Sequence, residues 1–287
     1  MSDTFKACIW MIGAIASFTA MAIAGREVSF ELDTFEIMLF RSLLGIVIVV
    51  AVAKTAGTLP QINRRHLGLH GIRNLSHFVG QNLWFYAITV LPLAQVFALE
   101  FTTPIWAILL APLILGERIT RIGMIGAMVA FLGILVVTRP GAAPMSPGVF
   151  AAAAAAVGFA LSALFTRKLT RTETITCILF YLTTMQAVFG VIAAGIDGDI
   201  AIPSTQAVPW LILIGCTGLF AHFCLTTALS LAPAPVVMPI DFVRLPVITA
   251  VGVLIYAEPL DPWLLLGAVL IFGGNYINLT LGQPVKR

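Results

Sequence analysis

Charge is what this sequence has least of. Asp, Glu, Lys and Arg together make up 10% of its 287 residues, where soluble domains average roughly 25%. That shortage excludes a water-facing globular surface. Polar stretches long enough to form a soluble domain are also missing. The four cysteines, Cys8, Cys177, Cys216 and Cys224, fall inside apolar segments with neither metal-ligand spacing nor the loop context of disulfides, so they read as small buried hydrophobes. There is no P-loop, no zincin pattern and no Gly-x-Gly-Asp motif, which argues against nucleotide-driven work and against intramembrane hydrolysis. No catalytic residue, metal or cofactor is expected.

What the sequence has in abundance is apolar length. It is 60% hydrophobic, with a mean hydropathy of +1.03. Apolar runs fall near residues 5–24, 34–53, 69–90, 93–115, 121–138, 147–166, 174–195, 208–230, 234–256 and 263–281. Each is close to the ~20 residues that carry a helix across a ~30 Å hydrocarbon layer. The expected fold is therefore an all-α membrane protein of about ten transmembrane helices, with the lipid bilayer as solvent and each helix packed mainly on its sequence neighbours. Ala22-Ile23-Ala24 has the look of a signal-peptidase site. However, the apolar run from Ala7 to Ala24 is long for a signal peptide, and Asp3 stands beside Lys6 ahead of it. It reads as an uncleaved first span.

The formal charge of +3 does not indicate a nucleic-acid partner, because the basic residues sit in short segments between spans. They indicate orientation instead. With the N-terminus inside, Lys6, Lys54, Arg64, Arg65, Arg118, Arg121, Arg167, Lys168, Arg171, Lys286 and Arg287 fall on one side. Only Arg26 and Arg139 fall on the other, among Glu27, Glu31, Asp33, Asp197, Asp199, Glu258 and Asp261. Both termini are expected in the cytoplasm.

A shift of 141 residues brings the sequence into register with itself. Pro92 then meets Pro233, Glu100 meets Asp241, Phe101 meets Phe242, Glu117 meets Glu258 and Arg26 meets Arg167. Gly126, Phe131 and Gly133 meet Gly267, Phe272 and Gly274. Apolar identities count for little, but acids, a proline and an arginine matching at one offset do not arise cheaply. Residues 1–140 and 141–287 are thus expected to be two repeats of five spans each. An odd number of spans inverts the second repeat, a symmetric basis for opening first to one side and then to the other.

Ionisable groups within lipid cost roughly 2.5–3.5 kcal/mol each, so each requires a partner or a function. Arg41, Arg73, Glu100, Asp241 and Arg244 stand out. Counting helical rise puts Arg41 and Glu100 at about 10 Å from the outer side and Asp241 at about 10 Å from the inner side. One charged cluster towards each face is expected, Arg41 with Glu100 and Asp241 with Arg73 or Arg244, either binding a zwitterion or fixing helix register. In the third span, His77, Gln81 and Trp84 share a face, with Asn82 and Tyr86 beside it, and Gln81 matches His222 in the repeat. These are candidates for a cavity lining or for interhelical hydrogen bonds. Pro104, Pro112, Pro239 and Pro246 interrupt the fourth and ninth spans and are candidate bend points. Glu117 and Glu258 read as caps on the helices that follow them, and Ala151–Ala156 as a surface for close helix packing.

These features resemble the ten-span EamA-type branch of the drug/metabolite transporter superfamily. Gly116-Glu117 closing the fourth span, Ala257-Glu258-Pro259 closing the ninth, the glycine-punctuated helices after each, and Phe40-Arg41 carry the resemblance. It implies a basket of helices around a cavity lined by spans 1, 3, 4, 6, 8 and 9 in a bacterial inner membrane. It also implies secondary transport or facilitated export of small organic solutes, amino acids including aromatic ones foremost, with no enzymatic activity. The alternative is a proton-coupled multidrug exporter like the four-span relatives, whose essential first-span glutamate has no counterpart here. Ten spans suffice for a complete pathway, so a monomer is adequate.

Overall fold

The computed structural model describes residues 3–116, 120–139, 145–196, 198–231 and 240–281. The helices within them are α1 (Asp3–Val28), α2 (Thr34–Thr55), α3 (Leu67–Val90), α4 (Leu93–Glu100), α5 (Thr103–Leu115), α6 (Arg121–Thr138), α7 (Pro147–Leu169), α8 (Ile175–Ala194), α9 (Ala207–Leu231), α10 (Arg244–Tyr256) and α11 (Pro262–Leu281). Among the described residues, seven stretches are long and apolar enough to cross a bilayer, α4 and α5 counting together as Leu93–Leu115. Two shorter apolar helices are α10 and α11. α3 has the length, at 24 residues, but too many polar ones. Together these make the ten spans.

Local chemistry sets the helix starts. Asp33 and Glu36 form a reciprocal capping box at α2, and Thr120, Ser146 and Thr174 accept from the amides three residues on, satisfying donors that a helix N-terminus leaves free. The lipid environment sets the sidedness of the spans. Ile12, Val47, Leu113 and Leu254 are 65%, 65%, 83% and 82% exposed, while Arg41, Arg73, His77 and Arg244 are buried.

The helices do not pack mainly on their sequence neighbours, contrary to expectation. The principal pairings are α1 with α9, α3 with α7, α2 with α8, and α6 with α11, and every one joins the first half to the second. Exchanging the halves turns the α1–α9 pair into the α7–α3 pair and leaves the other two unchanged. This is the pattern of an inverted repeat whose halves interlock rather than stand side by side.

The α6–α11 crossing shows the inversion at atomic scale. A Cβ on Gly133 would lie 2.6 Å from the Gly267 carbonyl oxygen, and one on Gly267 would lie 2.8 Å from the Gly133 oxygen. Gly274 packs as closely on Gly126 and Ala130. The sequence shift pairs Gly126 with Gly267 and Gly133 with Gly274, so the contacts are the crossed ones that an antiparallel, two-fold-related pair produces. Small residues let such backbones approach in lipid, where dispersion rather than the hydrophobic effect drives association.

Loops add polar ties between the halves. Glu36 accepts from the Ala201 amide at 2.6 Å, and Glu31 accepts from the Ser204 amide and hydroxyl at 2.5 and 2.7 Å. Those two hydrogen bonds hold the Glu31 carboxyl below the usual carboxylate range. Arg139 pairs with Asp261 at 2.5 Å, joining the end of α6 to the start of α11.

Candidate functional site

The fourth span breaks after Glu100. Phe101 and Thr102 form a turn before α5 begins, with Pro104 in its first turn, where a missing N–H costs nothing. Carbonyls at the break find other donors: Phe101 accepts from Asn275 of α11 at 2.6 Å, Leu99 from the Thr102 hydroxyl at 2.6 Å and Glu100 from the Thr103 hydroxyl at 2.6 Å. The ninth span breaks likewise at residues 242–243, ahead of α10 and Pro246. Pro112 lies inside α5 without interrupting it. Pro239 lies outside the described residues.

The two breaks meet. Phe101 and Phe242, equivalent in the two halves, touch edge to face at 5.4 Å, and both pack on Phe272. Beside them, Nη2 of Arg244 donates to Glu100 at 2.9 Å and to Asp241 at 3.0 Å. The guanidinium carbon lies 4.8, 5.0 and 5.0 Å from the ring centres of Phe18, Phe97 and Phe101, a cage that stabilises a cation away from water. Trp84 of α3 donates its indole N–H to Glu100 at 2.7 Å.

This arrangement corrects half of the expected pairing. Asp241 pairs with Arg244, one of its two expected partners, but Glu100 shares that same arginine instead of pairing with Arg41. Helical rise counted from the span ends put the two acids at different depths, yet one guanidinium nitrogen reaches both carboxylates.

From the acids, a row of side chains leads along the interior. Phe18 packs edge to face on His222 at 5.8 Å, and His222 on His77 at 6.1 Å. Arg41 and Arg73 lie within electrostatic reach of both imidazoles. Arg73 donates to Thr166 at 2.9 Å and to Asn74 at 2.8 Å. Arg41 has a 3.7 Å contact with the Met38 sulfur and packs against Gly218. Among the described residues neither arginine has a carboxylate partner. Gln81 is buried on the same helix as His77, whereas Tyr86 is 40% exposed and stands apart. Among the described residues, His77 Nε2, Asp241 Oδ1 and Arg244 Nε also lack hydrogen-bond partners. Buried polar groups are normally satisfied, so this interior holds unused capacity to bind.

Where α1, α3 and α10 end, residues that read as loop charges in the sequence tie the two halves together. Arg26 pairs with Glu258 and donates to the carbonyls of Ile88 at 2.6 Å and Leu91 at 2.5 Å. Its guanidinium covers the Tyr256 ring, and the Tyr256 hydroxyl donates to Glu27 at 2.8 Å. Glu258 accepts from the Leu93 amide at 2.9 Å. It therefore caps α4, on the other repeat, not the helix that follows it in sequence. Its counterpart Glu117 lies outside the described residues. Cavities of about 220 and 410 Å³ lie against this ion pair, both lined by Pro92 and Glu258. The signal for it was the shift that matched Arg26 to Arg167 and Glu117 to Glu258 together. Phe18 and Phe97 carried no such signal.

A family model decides the class: that of the EamA-like transporter family matches residues 5–139 and again 146–280. The chain belongs to that family. It is a multi-pass membrane protein and a transporter of small metabolites. It is 24% identical to an S-adenosylmethionine uptake transporter of Rickettsia conorii, covering 94% of this chain and 92% of that one. It is 27% identical to a riboflavin transporter of Brucella anthropi over 96% and 99%, and 28% identical to a pseudopaline exporter of Pseudomonas aeruginosa over 91% and 92%. A solved crystal structure superposes with a TM-score of 0.66 at 18% identity, covering 96% of this chain and 97% of that one, and shares the fold.

Proposed function

We propose that this EamA-like transporter is an alternating-access carrier of zwitterionic solutes bearing a ring, aromatic amino acids among them. The observation that carries the reading is the polarity of the interior. Glu100 and Asp241 share one guanidinium at one pole, while among the described residues Arg41 and Arg73 stand without a carboxylate at the other. A solute ammonium is attracted to the first pole and its carboxylate to the second, where a charge-assisted hydrogen bond to arginine is strong. Phe18, Trp84, His77 and His222 supply ring-sized apolar contacts between them.

The relatives support a carrier for solutes of this size without fixing this one. S-adenosylmethionine combines an amino-acid head group with a purine, and riboflavin is a flat heteroaromatic. Their names include both uptake and export, so the reading commits to the cycle, and to export only where the solute gradient favours it. The Arg26–Glu258 latch supports closure of one end, and the inverted repeat supplies the complementary state. The basic loop residues support an inner-membrane orientation with both termini cytoplasmic, and one chain as the working unit.

Counterflow in proteoliposomes against an amino-acid panel, with and without a pH gradient, tests the reading. Saturable exchange of phenylalanine or tyrosine is expected. Exchange of none would remove the amino-acid assignment. Accumulation of lipophilic cations driven by the pH gradient would favour the multidrug alternative.

A further inference from the structure

One turn of α3 from Arg73, where α3 and α8 begin, a second cluster has no part in the transport reading. His70 of α3, Glu173 just ahead of α8 and Cys177 in its first turn are all buried, and one ligand atom from each lies within 4.8 Å of the others. His70 is 1% exposed, and among the described residues neither of its ring nitrogens has a hydrogen-bond partner. Glu173 gives one oxygen to Asn63, which donates at 2.6 Å, while its other oxygen has no hydrogen-bond partner among the described residues and lies 3.9 Å from Nε2 of His66. The Cys177 thiol faces the Asn63 carbonyl at 3.8 Å. The Tyr181 ring lies over His70 at 4.5 Å and closes the apolar side.

Packing explains the burial of these groups but not the unsatisfied atoms, since a buried imidazole ordinarily finds a partner for at least one nitrogen. We infer that His70, Glu173 and Cys177, with His66 as a fourth ligand, form a site for a zinc-like divalent metal ion. The donor set has the softness for zinc rather than for magnesium or calcium, which take oxygen ligands. Binding releases the thiol proton, and the thiolate and carboxylate then neutralise the two positive charges of the ion, so no net charge is buried. Asn63 orients the carboxylate from outside the ligand set. His66, with its side chain 42% exposed, opens the site to the aqueous side. The ion would tie α3 of the first repeat to α8 of the second.

The spacing was present in the sequence. His66 and His70 stand four apart, as do Glu173 and Cys177. No motif joins the two pairs, because only the interlocking of the repeats brings them together. The reading of Cys177 as a packing residue, and the expectation of no metal, give way here to a proposal.

The test uses the full-length protein in detergent, with Cys8, Cys216 and Cys224 replaced by alanine and metal removed by chelation. Titration with Co²⁺ should give one equivalent bound, with an intense thiolate-to-cobalt absorption band and the visible bands of a tetrahedral ion, both displaced by Zn²⁺. Cys177→Ser should remove the thiolate band, and His70→Gln should weaken Zn²⁺ binding at least tenfold. Zn²⁺ should raise the melting temperature of the parent chain and not that of Glu173→Gln. Absence of the thiolate band in the parent chain would overturn the proposal whether or not the variants fold. So would Co²⁺ binding that is indifferent to Cys177→Ser.

Discussion

Glu100 and Asp241, at equivalent positions in the two repeats, accept hydrogen bonds from the same nitrogen of Arg244. The equivalent of Arg244 in the first repeat is Thr103. The site is thus built on a symmetric pair of acids and completed by one asymmetric cation, which gives a two-fold architecture a polar, directional interior.

The sharing makes Arg244 the costliest of the three to remove. Arg244→Gln leaves two buried carboxylates facing each other and should destabilise the fold by about 3–5 kcal/mol, the range for breaking a buried ion pair. Glu100→Gln or Asp241→Asn leaves a one-to-one pair and should cost less. Thermal unfolding of the purified variants in one detergent checks the order. Equal losses for all three would contradict it.

The latch predicts a second asymmetry. Glu258→Gln removes the charge paired with Arg26 but keeps an acceptor for the Leu93 amide, whereas Glu258→Ala loses both. The glutamine variant should retain the fold with faster labelling, by an impermeant thiol reagent, of a cysteine placed at Ser17, which is buried on α1 next to Phe18. The alanine variant should in addition lose about 1 kcal/mol of stability for the lost helix cap. Unchanged labelling in Glu258→Gln would argue against a gate.

Adjacent glycines give an internal control on the inverted packing. A Cβ on Gly274 would lie 2.6 Å from the Ala130 amide nitrogen, while one on Gly273 meets nothing within 4 Å. Gly274→Ala should cost about 1–3 kcal/mol by overpacking, and Gly273→Ala should be neutral. Melting temperatures of the two variants decide it. Equal shifts would mean that α6 and α11 do not cross there.

Ala257 sits at φ 52°, a left-handed conformation that the first repeat assigns to Gly116 at φ 70°. The turn lets the Glu258 amide donate to the Gly252 carbonyl at 3.0 Å. Ala257→Gly should therefore stabilise the protein by about 1 kcal/mol, the lower end of the penalty for a non-glycine residue there. A lower melting temperature in this variant would contradict the assignment.

Much of the fold was legible because lipid demands apolar length and because the repeat retained its acids, prolines and glycines. The spans, the inversion and the involvement of Arg41, His77, Trp84, Glu100, His222, Asp241 and Arg244 in the interior all have sequence signals. Which residues touch was not legible. Depth counted along straight helices separates Glu100 from Asp241, and the prolines signalled bends in both spans but not that the two bends meet. Short loops suggested that neighbouring helices pack together, yet inversion gives each helix a partner in the other half. Tyr86 shares a helix with Trp84 but faces outward, because a buried stripe on α3 is narrower than its run of polar and aromatic residues.

The most direct test of the two-pole interior is Arg41→Gln in proteoliposome counterflow. Arg41 has no carboxylate partner among the described residues, so neutralising it breaks no ion pair and should leave the melting temperature unchanged or higher. Exchange of a zwitterionic amino acid should fall at least tenfold through a raised half-saturation concentration, with the maximal rate less affected. Unchanged exchange at equal reconstitution would contradict the account.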